Sequence, residues 1–205
     1  MTALAQPTAH TTFHTLKVAS VDNPTDDSAA ITFEVPPELA ETFAFRPGQH
    51  LTLRTRVDGV DVRRSYSICT SPHEGELRIG VKKVAGGPFS TWLNDSVKPG
   101  DEIAVMTPTG RFGLQDKPGD ARVHVGFAAG SGITPLLSIL RGVLKREPTS
   151  RFFLFYGNRS TDGIMFREAL EELKDRYMGR LSVFHVLSQE EQDVAVLNGR
   201  LDGDK

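Results

Sequence analysis

The sequence predicts two domains: a six-stranded antiparallel β-barrel, then an α/β domain on an incomplete parallel sheet of about three strands. Three observations carry that expectation. Short β-favouring runs separated by turn signals fill residues 13–114. Apolar strands alternating with helix-spaced segments fill residues 122–187, and Lys117-Pro118-Gly119-Asp120 divides the two textures.

In the first part, strands are expected at Phe13–Val21, Ala30–Val35, His50–Val57, Val60–Cys69, Leu77–Val84 and Asp101–Met106. Asn-Pro, Pro-Pro, Pro-Gly, Asp-Gly, Glu-Gly and Lys-Pro-Gly-Asp separate them, because Pro presets φ and Gly accepts positive φ. Asp58-Gly59 joins two alternating runs and predicts a tight hairpin. One short helix, Ser90–Asn94, follows Gly86-Gly87-Pro88. Beyond the divide, Arg122–Ala128, Arg151–Tyr156 and Leu181–Leu187 read as buried strands. Pro135–Arg146 carries Leu136, Leu137, Ile139, Leu140, Val143 and Leu144 at helical spacing. Met165–Tyr177 places Phe166, Ala169, Leu170 and Leu173 on one side. Strand–helix–strand–helix–strand is half of a doubly wound sheet, with one edge left bare. The expected organisation is a loose, disordered tail at 1–11, the barrel at 12–116, a linker at 117–120 and the N-terminal part of a nucleotide-binding domain at 121–205, a chain that reads as truncated.

Composition narrows the function. Lys plus Arg number 24 against 26 Asp plus Glu, a net charge of −2, which argues against holding a polyanion such as nucleic acid by bulk charge. The single cysteine, Cys69, excludes a disulfide framework, a CxxC pair and a Cys-based zinc or iron–sulfur site within these residues. The six histidines are scattered, so no metal site is expected. No apolar run approaches the roughly 20 residues needed to span a bilayer, and Met1–His10 lacks signal-peptide character, so a cytoplasmic protein with no membrane partner is expected. GxxxxGK[ST] and GxSxG are both missing, which removes P-loop phosphotransfer and a nucleophile elbow.

Four clusters carry chemistry. In Arg63-Arg64-Ser65-Tyr66-Ser67-Ile68-Cys69, strand geometry sends Arg64 and Tyr66 to one face, about 6.6 Å apart at ~3.3 Å per residue. An arginine beside a flat aromatic can hold a phosphate while the ring packs on a planar heterocycle. A charged barrel face with one aromatic accounts for the same residues. In Val81-Lys82-Lys83-Val84-Ala85-Gly86-Gly87-Pro88-Phe89-Ser90-Thr91-Trp92, paired glycines precede a short helix whose amino end suits a pyrophosphate. Ser90 or Thr91 as an ordinary helix cap is the plainer account. Gly130-Ser131-Gly132-Ile133-Thr134-Pro135 joins an apolar strand to a helix, the setting of a dinucleotide-binding loop. Pro135 replaces the usual third glycine and is expected as the first helical residue, and a bare strand-to-helix turn is the alternative. Tyr156-Gly157-Asn158-Arg159-Ser160 ends the second parallel strand, where an adenosine ribose lies in such sheets. Arg159 and Ser160 suit a 2′-phosphate there, unless Arg159 is a solvated surface residue.

Taken in order, Arg-x-Tyr-Ser, Gly-Gly-Pro-Phe-Ser and Gly-x-Gly-x-x-Pro resemble the ferredoxin–NADP⁺ reductase superfamily over nearly the whole of Phe13–Lys205. In detail, Arg-Arg-Ser-Tyr-Ser-Ile-Cys and Tyr-Gly-Asn-Arg-Ser look like the reductase components of phenylacetyl-CoA epoxidases. The resemblance implies FAD on the barrel, with Arg64 at the pyrophosphate, Tyr66 on the isoalloxazine, Ser67 as the partner of flavin N5 and Ser65 among the FAD-binding residues. It implies Val81, Lys82 and Lys83 along the ribityl and adenine side, and Gly86, Gly87, Phe89, Ser90 and Thr91 at the phosphates. Gly130, Ser131, Gly132, Ile133, Thr134 and Pro135, with Asn158, Arg159 and Ser160, would receive NADPH in preference to NADH. The implied activity is hydride uptake from NADPH and single-electron delivery to an iron–sulfur centre feeding an oxygenase. The later Cys-Gly-Pro segment and plant-type [2Fe–2S] domain of such relatives are absent from these residues. A non-catalytic flavin-binding fragment and a flavohaemoglobin-type reductase with another acceptor stay open as readings. A scaffold without flavin would make the Arg64-x-Tyr66-Ser67 run and both glycine loops coincidental.

Overall fold

The computed structural model describes residues 12–57, 59–115 and 119–203. The expected tail at 1–11, Asp58 of the hairpin turn, and Lys117 and Pro118 of the linker lie outside the described residues.

The barrel comprises β1 (Phe13–Thr25), β2 (Ser28–Glu34), β3 (His50–Val57), β4 (Val60–Ser67), β5 (Leu77–Lys82) and β6 (Glu102–Met106), with helix α1 (Pro88–Asp95) between the last two. Strand order is β4-β3-β6-β1-β2-β5, and a bridge between Ile68 and Ile79 joins the two end strands. Alternation along the strands sends Leu16, Ile31, Leu51, Leu53, Ile79, Val81 and Ile103 inward, where Phe89 and Leu93 of α1 complete the core.

Strands β2, β4 and β5 shift by up to two residues from expectation, and two further boundaries differ for local reasons. Asn23-Pro24 does not end β1. The register shifts between Asp22 and Thr25, so the proline sits in a bulge, where a missing N–H costs no ladder bond. The turn comes later, closed by the Thr25 hydroxyl on Asp27 at 2.8 Å and on Ser28 at 2.6 Å. The helix expected at Ser90 begins at Pro88, because proline at the first helical position sacrifices no hydrogen bond.

The second unit contains β7 (Val123–Ala129), α2 (Ile133–Arg146), β8 (Arg151–Asn158), α3 (Arg167–Arg176) and β9 (Leu181–Leu187). The strands are parallel in the order β7-β8-β9. Pro135 is therefore not the first helical residue. Gly130–Gly132 forms a 3-10 turn and α2 starts at Ile133. Helix α3 begins two residues later than expected, because Phe166 adopts a left-handed backbone at φ 61° and cannot continue a helix.

Ten of the fourteen α2 residues are buried, so the helix packs on two sides. One side faces Phe152, Leu154 and Tyr156 of β8. The other meets the barrel: Ser138 Oγ donates to Thr70 O at 2.5 Å, Arg141 pairs with Glu74 at 2.9 Å, and a methyl at Gly142 would come within 3.0 Å of Pro47. On the sheet face away from α2, Phe127, Phe155 and Phe184 stack in a row at 5.3 and 4.9 Å, and β7 has no second strand neighbour among the described residues.

At the amino ends of the strands, Glu147 is buried and accepts bonds from Arg122, from His124 Nε2 at 2.9 Å and from Ser150 Oγ at 2.8 Å. Burial opposes its charge, but these three donors outweigh that and hold the carboxyl down to about 2. A carboxyl depressed in the fold stabilises above its unfolded pKa and loses that contribution as pH falls through the folded one. Stability is therefore expected to drop by about 3 kcal/mol as pH falls from about 4.5 to 2, on top of the general acid effect. Urea titrations of wild type and Glu147→Gln across that range test it, with the variant losing this component.

Candidate functional site

Arg64 and Tyr66 project together from β4, as strand alternation requires. Tyr66 is half-buried, with its ring 6.0 Å from Phe89, and Phe89 in turn lies 5.7 Å from Trp92, edge to face. Burial, only partly countered by Arg64, pushes the Tyr66 phenol up to about 12, so the ring is a neutral surface at physiological pH. Arg64 is exposed, and its only side-chain hydrogen bond among the described residues is from Nη1 to Arg63 O at 2.7 Å, which leaves most of the guanidinium free for an anion. Ser65 points the other way and is tied to Thr52 Oγ1 at 2.9 Å, so its hydroxyl faces away from Arg64 and Tyr66. Ser67 is half-buried, paired with His50 across the ladder, and makes no side-chain hydrogen bond among the described residues.

The loop after β5 is built around Ser90. Its hydroxyl accepts from Val84 N at 3.1 Å and donates to Gly87 O at 3.0 Å, closing the loop instead of capping the helix. Gly86 has φ 71°, and a methyl on Gly87 would fall 2.8 Å from Ser90 Oγ, so both positions demand glycine. Pro88 carries no N–H, so Phe89 N and Ser90 N are the first-turn amides of α1 without an intrahelical partner, next to the half-exposed Thr91. Phe89 and Val81 are core side chains, at 1% and 0% exposure, so a ligand could meet only their backbone. An anionic cofactor with a flat ring system fits these residues, through a free arginine, an exposed helix start and a half-buried aromatic face.

The nucleotide turn lies across from this strand. A cleft of about 740 Å³ is lined by Lys82 and Lys83 of the barrel together with Gly130, Asn158, Arg159 and Ser160. Two lysines assigned from the sequence to one ligand thus share a wall with residues assigned to the other. Lys82 pairs with Asp27 at 3.2 Å and Lys83 with Asp95 at 2.5 Å, whereas Arg159 has no ion pair among the described residues. Asn158 Nδ2 is buried without a hydrogen-bond partner, an orphaned donor beside the cleft. Tyr156 donates to Gly130 O at 3.0 Å and fixes the turn; burial raises its phenol well above the usual range. Ser131 and Gly132 are exposed, and Pro135 is half-buried. Ile133 and Thr134 are buried, and of the Gly130–Pro135 loop residues expected to receive a nucleotide only Gly130 lines the cleft.

One residue escaped the sequence reading. Arg200 reaches the same cleft because Gly199 N bonds to Leu187 O at 2.7 Å and Leu201 packs over Gly157. Its only signal was a Gly-Arg-Leu triplet after the last strand. A second cleft, of about 590 Å³, is lined by Asp22, Cys69, Arg78, Arg141, Phe166 and Arg167 and contains none of the residues assigned above to the flavin or the nucleotide. The described residues contain no His/Cys/Asp/Glu group able to hold a metal and no helix long and apolar enough to cross a membrane. Cys69 is buried, which pushes its thiol up to about 12 and leaves it inert.

The oxidoreductase FAD-binding domain family matches residues 15–113, and the oxidoreductase NAD-binding domain family matches residues 127–204. The chain belongs to the ferredoxin reductase family of FAD- and NAD-binding oxidoreductases. Among its relatives in this family, a subunit of the 1,2-phenylacetyl-CoA epoxidase of Escherichia coli K12 is 47% identical over 195 residues, 95% of this chain and 55% of the relative. The ferredoxin reductase component of a Rhodococcus rhodochrous 3-ketosteroid-9-alpha-monooxygenase is 38% identical over 174 residues, 84% of this chain and 48% of the relative. The crystal structure of the Amycolatopsis cytochrome P450 reductase GcoB superposes with a TM-score of 0.75 at 28% identity, covering 94% of this chain and 57% of that one. The chain thus spans about half the length of the curated relatives it matches.

Because Ser90 closes the glycine loop, Ser90→Ala is expected to destabilise the barrel by about 1 kcal/mol through loss of its two bonds, read as a shift in urea midpoint.

Proposed function

We propose that the chain is the flavin- and nucleotide-binding part of an oxygenase reductase. It would take hydride from NADPH onto FAD and pass electrons singly to an iron–sulfur centre that serves an oxygenase of the phenylacetyl-CoA epoxidase type. The observation that carries this reading is the shared cleft, in which lysines of the barrel strand face the nucleotide turn and Arg159. The acceptor is argued from the name of the relative that is 47% identical. The flavin domain would span 12–116 and the nucleotide domain 121–205, working in the cytoplasm.

FAD, when bound, supplies the redox chemistry of hydride acceptance at N5 and electron release. The protein's part is orientation and electrostatics. Arg64 would clamp the pyrophosphate with its free guanidinium, assisted by the Gly86-Gly87 loop and the first-turn amides of α1. Tyr66 would support the ring system as a neutral face, and Ser67 would offer its unengaged hydroxyl near N5. The Gly130–Gly132 turn would present backbone N–H groups to the nicotinamide nucleotide, and Arg159, Ser160 and Arg200 would surround a 2′-phosphate. Nothing here requires a side-chain acid or base, and the Tyr66 phenol at the proposed flavin face stays protonated.

The chain should purify yellow, or take up FAD when reconstituted, and its flavin absorbance should bleach anaerobically faster with NADPH than with NADH. Arg64→Ala should weaken FAD binding by about 1.5–3 kcal/mol, roughly ten- to a hundredfold. Arg159→Ala should cut the preference for NADPH over NADH by about tenfold or more, the loss of one charge-assisted bond. A colourless protein that refuses FAD would sink the reading. FAD binding without bleaching by either nucleotide would make the chain a flavin-binding module only.

A further inference from the structure

The one non-glycine residue with positive φ among the described residues is Phe166, at φ 61° and ψ 29°. A bulky side chain occupies this region only where surrounding packing over-determines it. The packing here is unusual in reaching across the two domains. The Phe166 ring is 8% exposed and belongs to the core of the nucleotide domain. Its tip nevertheless fills a notch in the barrel: a methyl added to Gly80 would lie 2.8 Å from Phe166 Cζ and 3.0 Å from Thr134 Cγ2.

Those two neighbours matter. Gly80 sits in β5, two residues before Lys82, which lines the shared cleft. Thr134 is the second residue of α2, and its hydroxyl donates to Ser131 O at 2.8 Å, inside the nucleotide turn. The ring therefore lies over the strand that would carry flavin contacts, and it shares the space above Gly80 with the residue that braces the turn receiving the nucleotide. Helix α3 anchors the backbone of that residue, since Leu170 N bonds to Phe166 O at 3.0 Å.

We propose that Phe166 is a positioning residue: seated with Thr134 over the Gly80 notch, it sets the spacing between the nucleotide turn and the flavin strand. This rests on the reading of the chain as an NADPH-dependent flavin reductase. Hydride transfer needs donor and acceptor held at near-contact distance, and a displacement of about 1 Å costs on the order of a hundredfold in rate. Most contacts assigned to each ligand lie within one domain, and Lys82 and Lys83, which reach the shared cleft from the barrel, are held by Asp27 and Asp95 independently of the ring. Loss of the ring should accordingly slow transfer and leave both affinities nearly unchanged.

The test uses the full chain with three substitutions. Phe166→Gly removes the ring and relieves the backbone, Phe166→Leu refills most of the notch, and Gly80→Ala crowds the ring from the barrel side. In anaerobic stopped-flow with saturating NADPH, Phe166→Gly and Gly80→Ala should lower the limiting rate of flavin bleaching by roughly ten- to a hundredfold. FAD and NADPH dissociation constants should stay within about threefold, and the long-wavelength charge-transfer absorbance of the nucleotide complex should fade. Phe166→Leu should recover most of the rate. Hydrogen exchange of the ligand-free proteins gives a second readout: Phe166→Gly should speed exchange of Ser131–Thr134 and of Gly80–Lys82 together. Limiting rates within about twofold of wild type in both Phe166→Gly and Gly80→Ala, or faster exchange confined to α3, would overturn the proposal. A wild-type chain that binds FAD but is not bleached by NADPH defeats the reductase reading instead, and the exchange pattern then decides the coupling alone.

Discussion

Helix α2 has to satisfy two cores at once, and the arrangement of the candidate site depends on that constraint. Its apolar residues pack on β8, while Ser138, Arg141 and Gly142 meet the barrel loops at Thr70, Glu74 and Pro47. Cys69 and Ala30, both from the barrel, are buried with the core of the nucleotide domain. With so few exposed positions, the helix has little freedom to slide on either surface. Its amino end carries the Gly130–Gly132 turn, so seating the helix on the barrel also aims the turn at β5.

The electrostatics follow from that placement. Lys82 and Lys83 are already paired with Asp27 and Asp95, so the barrel side of the cleft is held in place more than it is charged. Arg159 and Arg200 come from the carboxyl ends of parallel strands and from the segment folded over Gly157, and neither has an ion pair among the described residues. Unpaired guanidinium groups on one wall of a cleft favour an anionic ligand there. At the opposite end of the same sheet, the Glu147 cluster binds the amino ends of β7 and β8 together, so this buried ion-pair cluster and the proposed ligand site lie at different ends of the strands.

Much of this was legible in the residues, for reasons that are local. Alternation fixes which way Arg64 and Tyr66 point, and the Gly-Gly-Pro and Gly-x-Gly-x-x-Pro runs mark chain reversals that only glycine and proline permit. Helix starts were less legible. Pro88 and Ile133 begin helices because of what their backbones satisfy, and Phe166 refuses to begin one because its ring is needed elsewhere. The Asn23-Pro24 pair looked like a turn and proved to be a bulge, since a neighbouring strand supplied register across it.

Hydrophobic period, turn chemistry and motif order sufficed to assign both domains, the strand bearing Arg64-x-Tyr66-Ser67 and the two glycine loops, because each depends on residues close together in the chain. Contacts between distant residues were decided by folding alone. No local signal foretells that Ser65 spends its hydroxyl on Thr52, that Val81 and Ile133 turn into cores, or that Arg200 arrives beside Arg159. The same holds for the ring of Phe166 in the barrel at Gly80, where the absence of a side chain on one domain makes room for a large one from the other.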